Sequence, residues 1–125
     1  MKIMFRYNIL TEEVKSDFAF EVFADTLNEL FRGAGIAMME AMVDLEKFKA
    51  ERLWEFELQA ENLELLLFDF LGELVYLKDV EVALFNDYDI KIEENNECKL
   101  TCKAHGAKIN YETDELLTDV KAVTM

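Results

Sequence analysis

A chain of 125 residues that is 52% hydrophobic, with ten Phe, is long enough to bury one core and too apolar to stay disordered. Its 27 acidic residues against 13 basic ones give a formal charge of −14, which repels a polyanionic backbone and excludes extensive direct nucleic-acid binding. No N-terminal segment joins a basic start to an apolar run and a small-residue cleavage site, and no apolar run approaches about 18 residues, so a cytoplasmic protein without a membrane span is expected.

Residues 2–7 alternate loosely and predict a strand or its approach. Phe18, Phe20 and Val22 then alternate with Asp17, Ala19 and Glu21, the period of a half-buried strand with Asp17 at its mouth. Thr26-Leu27-Asn28-Glu29 fits a capping box, so a helix begins there, with Leu27, Leu30, Phe31, Ala34, Met38, Ala41 and Met42 facing inward. Gly33 and Gly35 cost this helix about 1 kcal/mol each relative to Ala unless another element closely approaches its backbone. Residues 44–47 end it.

A period-two pattern predicts a strand over 52–60. Asn62 can cap a second helix over 63–77, whose inner face carries Leu63, Leu66, Leu67, Phe70, Leu71, Leu74 and Leu77. Leu65, Phe68, Val75 and Tyr76 widen that face, predicting cover on more than one side. Residues 80–84 and 88–92 read as a hairpin about Phe85-Asn86-Asp87, followed by a polar turn over 93–97. Cys98, Leu100, Cys102 and Ala104 then alternate with polar residues in a further strand, where about 13 Å separates the two Cys, too far for a disulfide. An irregular stretch over 106–118 precedes a short strand over 120–124. The fold class expected is α+β, an antiparallel or mixed sheet with both helices on one face, in a single domain over 1–125.

Nucleophilic catalysis is poorly supplied: the one Ser, Ser16, and the one His, His105, stand far apart with no elbow motif. His105 reads as a surface or hydrogen-bonded histidine. Gly-rich phosphate loops and paired-Cys zinc spacing are absent from the sequence. Carboxylates are plentiful enough for a hard-cation site, and Asp17, Asp114, Glu115 and Asp119 flank strand ends, although most acids in so acidic a chain are solvated surface. Lys121 interrupts an apolar strand, which implies an edge position, favoured here, or a partner carboxylate.

Several segments together resemble the archease family, small proteins that assist the RtcB-type RNA-splicing ligase. Thr26-Leu27-Asn28-Glu29-Leu30-Phe31 resembles that family's TLEEAF helix start, and residues 37–45 its ALALFEVMTDL continuation. Residues 62–76 resemble DLEDLLVDWLNELLY, and Lys121-Ala122-Val123-Thr124 matches within the EVKAVTYH signature. The early HTAD motif is represented by Val14-Lys15-Ser16-Asp17, so its Asp carries over and its His does not. A histidine expected a few positions after Gly106 falls on Asp114, followed by a matching Glu115. The family continues through Tyr-His to another strand and a metal-binding Asp, whereas this sequence stops at Met125; the expectation is a fragment or a shortened member lacking that strand.

The resemblance implies an archease-like fold and a non-enzymatic accessory protein that promotes guanylylation and turnover of the ligase in tRNA splicing. It implies Asp17 as a metal ligand, with calcium the metal, and Lys121, Asp114 and Glu115 on the same functional surface. Asp17 and Lys121 meet if the final strand lies beside the strand that starts at Asp17. Two other classes compete: a protein-binding or chaperone-like module on the archease scaffold that has lost the metal site, and a carboxylate-based metal hydrolase, favoured only by the density of acids.

Overall fold

Eight elements follow one another as β1 (Lys2–Leu10), β2 (Lys15–Phe23), α1 (Leu27–Met42), β3 (Arg52–Ala60), α2 (Leu63–Glu81), β4 (Ala83–Glu94), β5 (Cys98–Lys108) and β6 (Val120–Thr124). This computed structural model describes residues 2–10, 15–46, 48–109 and 120–124, with side chains described over 21–46 and 48–109. All strand pairing is antiparallel, but the strands divide into two sheets, ordered β2-β1-β6 and β3-β5-β4. Both helices touch both sheets: α1 lies against β4 and against β2 and β1, while α2 lies against β3, β4 and β5 and against β6.

Each helix starts where a side chain takes up an amide of the first turn. Thr26 Oγ1 accepts from the Glu29 amide at 3.2 Å, and Asn62 Oδ1 accepts from the Leu65 amide at 2.9 Å, each replacing water at an otherwise unpaired donor. From α1, Leu30, Phe31, Ala34, Met38, Met39 and Met42 are fully buried, so its methionines are adaptable core. From α2, Leu66, Leu67, Phe70, Leu71 and Leu74 are fully buried. The Phe70 ring joins three elements, 6.0 Å from Phe31 of α1, 6.2 Å from Phe56 of β3 and 5.6 Å from Tyr88 of β4 between centroids. Cys98 and Cys102 are buried free thiols, and burial pushes the Cys102 thiol up to about 12, so it is held neutral and unreactive.

The close approaches that would justify the α1 glycines are present. A Cβ at Gly33 would lie 3.0 Å from Val22 Cγ1, and one at Gly35 would lie 2.6 Å from the Tyr88 ring, whose hydroxyl donates to the Gly35 carbonyl at 3.2 Å. Here glycine lets two elements pack closer than any side chain would permit.

Four expectations are corrected. No hairpin turns at residues 85–87: β4 is continuous, and Asn86 is an extra residue in a bulge, since Phe85 pairs with Gly106 and Asp87 with His105. Turn-type Asn86-Asp87 broke the alternation without breaking the strand. Secondly, α2 runs on to Glu81 because its cap, Val82, adopts a left-handed φ of 56° that β-branched residues rarely accept, and so no stop signal was visible. Thirdly, β5 extends through Gly106 to Lys108, while residues 110–119 lie outside the described residues. Lastly, α2 is covered on more than one side as expected, by α1 and both sheets, but of the four residues that widen its stripe only Val75 is buried, while Leu65, Phe68 and Tyr76 are exposed.

Leu66→Ala is expected to cost about 2–5 kcal/mol in denaturant unfolding, through lost burial and a residual cavity. One substitution should act oppositely at two glycines of similar helical setting. Gly35→Ala drives a Cβ into the Tyr88 ring and should destabilise by about 1–3 kcal/mol. Gly72→Ala, at an exposed position of α2 where a Cβ would meet nothing within 4 Å, should stabilise by about 0.5–1 kcal/mol, and paired thermal melts check both signs.

Candidate functional site

Of the residues singled out from sequence, Asp17 and Lys121 fall on the sheet β2-β1-β6. Asp17 of β2 pairs with Asn8 of β1, and Asn8 in turn pairs with Ala122 of β6. Ala122 and Val120 pair with the consecutive β1 residues Asn8 and Ile9, so Lys121 is the extra residue of a bulge in β6. Bulges concentrate at sheet edges and beside functional sites because they locally twist a strand and re-aim a side chain. β6 is the edge strand of its sheet, the position that a cation in an apolar strand foretells.

The condition set for Asp17 and Lys121 to meet as strand neighbours is not fulfilled. β1 intervenes, and two strand spacings, about 10 Å of backbone, separate the Asp17 strand from β6. Asn8, between them in register, carried no sequence signal, because strand order is not encoded in local periodicity. Asp114 and Glu115 lie outside the described residues. Calcium takes six to eight oxygen ligands, and among the described residues no group of three or more His, Cys, Asp or Glu is placed to hold a metal ion.

Beside β6 runs α2, which carries Lys78, only 2% exposed, with its Nζ 3.0 Å from Asp79 Oδ1. A buried ammonium is costly unless paired, so this ion pair is part of what allows α2 to lie there. Its signal was present: Lys78 follows Leu71 and Leu74 at helical spacing on the apolar side.

On the other sheet, β4 and α1 bring together a second polar cluster. Arg32 Nε donates to Asp87 Oδ1 at 2.6 Å, and the same oxygen accepts from the Tyr88 amide at 2.8 Å. His105 Nε2 lies 2.8 Å from Asp89 Oδ2, the hydrogen-bonded surface histidine expected. Burial pushes the Asp87 carboxyl up, but the Arg32 hydrogen bond, the Tyr88 amide and the nearby positive charge outweigh it and hold the group below its ordinary range. The Asp87 hydrogen bond correspondingly raises Arg32 further. This cluster fastens α1 to β4.

The archease protein family matches residues 7–125. The chain belongs to the archease family. Protein archease of Pyrococcus abyssi is 35% identical over 113 residues, 90% of this chain and 80% of that one. Protein archease of Methanosarcina barkeri is 33% identical over 111 residues, 87% and 76% of the two chains. The solution structure of Methanobacterium thermoautotrophicum protein 1598 superimposes with a TM-score of 0.70 at 36% identity, covering 82% of this chain and 72% of that one. The archease match bears out the resemblance read from residues 26–31, 37–45, 62–76 and 121–124, and the likeness to the solved structure bears out the α+β class with it. Among the described residues no helix of this archease is long and apolar enough to cross a membrane, which says nothing of strands.

Because Asp87 binds protons more weakly folded than unfolded, its stabilising contribution is fully present above the unfolded value of 3.8 and is lost as pH falls below it. Asp87→Asn keeps an acceptor oxygen and removes the charge. With the two side chains 39% and 46% exposed, the expected loss at pH 7 is only about 0.5–1 kcal/mol. The gap between variant and wild type should narrow in urea melts as pH falls below 3.8.

Proposed function

We propose that this archease is a non-enzymatic accessory protein of the cytoplasm that activates an RtcB-type RNA-splicing ligase, promoting its guanylylation and turnover in tRNA splicing. Family membership across residues 7–125 carries this reading. Charge supports its form: a chain of −14 is a poor binder of RNA but a fit partner for a basic RNA-handling enzyme, so it acts through the ligase. In this proposal Asp17 is a metal ligand for calcium, with Asp114, Glu115 and Lys121 on the same functional surface. A bound calcium supplies positive charge that offsets the acids around it. Lys121 stands at a bulge in the edge strand β6, the kind of backbone irregularity that gathers beside functional sites.

A second reading is favoured by Val14, which stands where the family motif has His. It is a protein-binding or chaperone-like module on the archease fold that has lost its metal. Calorimetric titration with calcium separates the two, since only the first requires binding that Asp17→Ala abolishes.

Asp17→Ala and Lys121→Ala are each expected to leave folding within about 1 kcal/mol of wild type and to reduce sharply the stimulation of multi-turnover ligation, as a site does and a scaffold does not. Wild-type stimulation by both variants, or binding to RNA without binding to ligase in a pull-down at rising salt, would overturn the proposal.

A further inference from the structure

The outer side of α2 carries an apolar line that is not packed against the core of the described residues. Leu65, Phe68, Tyr76 and Val80 are 43%, 38%, 55% and 59% exposed. With Gly72 they recur at intervals of three and four residues, one continuous stripe about 22 Å long. Gly72 stands mid-stripe, and a Cβ there would meet no atom within 4 Å. A glycine weakens a helix interior and here gains nothing inside the chain, whereas a position without a side chain lets an outside helix come close.

Charge selects what comes. α2 carries five acids, Glu64, Asp69, Glu73, Asp79 and Glu81, against one lysine, Lys78, which is buried. Burial raises the Glu73 carboxyl, a cost that an arriving cation would relieve. A second copy would set these acids against themselves in a chain already at −14, and an anionic lipid surface would meet the same repulsion.

We propose that the outer face of α2 docks a basic amphipathic helix of a partner protein, its apolar residues on Leu65, Phe68, Tyr76 and Val80, its closest approach at Gly72, and its Lys or Arg side chains against Glu64, Asp69, Glu73 and Asp79. This is helix-on-helix recognition by apolar anchors at helical spacing, with the charges fixing partner choice. It stands apart from ligase activation, which can fail with this docking intact.

The test uses the full chain and two synthetic helical peptides of five turns with the same leucine stripe, one flanked by Lys and one by Glu. Fluorescence anisotropy should show binding of the Lys peptide only, weakening with salt, and amide shifts in NMR spectra should be confined to the outer positions of residues 63–81. Phe68→Ser with Tyr76→Ser, Glu64→Lys with Asp69→Lys, and Gly72→Leu should each weaken binding at least about tenfold while circular dichroism stays unchanged. Undiminished binding by the folded variants, equal binding of the Glu peptide, or sedimentation as a dimer that Phe68→Ser with Tyr76→Ser dissociates would each overturn the proposal.

Discussion

Tyr88 rests against the backbone of Gly35, where an added Cβ would come within 2.6 Å of its ring, so α1 and β4 can lie this close only while position 35 has no side chain. The consequences spread from that contact. Tyr88 can then donate to the Gly35 carbonyl, its ring can meet Phe70 edge-on, and Phe70 in turn reaches Phe31 and Phe56. Burial raises the Tyr88 hydroxyl well above its ordinary value, so it stays a donor at any working pH. On the rim of the same seam Arg32 and Asp87 close the gap with a charge-assisted hydrogen bond. Helix, sheet and second helix thus share one junction.

What the sequence made legible is what local chemistry determines. Thr26 and Asn62 act as caps as foreseen, and β3 and β6 occupy the ranges that alternation indicated. The misses have local causes too. Asn86 and Val82 imitate a turn and a continuing strand respectively, because a bulge and a left-handed cap are set by tertiary contacts. Strand order was out of reach altogether: alternation marks β1, β2 and β6 as strands, but nothing in it places β1 between the other two. For the two residues singled out on this sheet, Asp17 and Lys121, this meant that their separation by β1, with Asn8 in register between the strands, could not be foreseen.

The α2 helix marks the limit of pattern reading in another way. Apolar residues around most of its circumference indicate that cover is wanted, yet apolarity has no direction and does not say whether cover comes from the same chain. The structure supplies the sheet β3-β5-β4 and α1 on one side and β6 on another, and leaves Leu65, Phe68 and Tyr76 facing solvent. An exposed apolar line on so acidic a helix is tolerable in solution because Asp69, Glu73 and Asp79 interleave it and keep it hydrated.

Acid surplus and acid placement are different quantities. On β3-β5-β4, Lys103 stands in register between Glu55 and Asp89, and Lys99 lies 3.8 Å from Glu57, so the cations of the central strand are set among acids of its neighbours. That arrangement is largely self-neutralising and projects little field. On α2 the only cation is folded inward against Asp79, and Glu64, Asp69, Glu73 and Glu81 have no further cation on their own element. Among the described residues uncompensated acid therefore gathers on α2, which lies next to β6, the strand of Lys121. Within a Debye length of about 8 Å such a field acts on any approaching charge, drawing cationic surfaces toward this side of the molecule and turning nucleic acid away. A negative helix beside an edge strand that carries a lysine thus sets opposite charges on neighbouring elements.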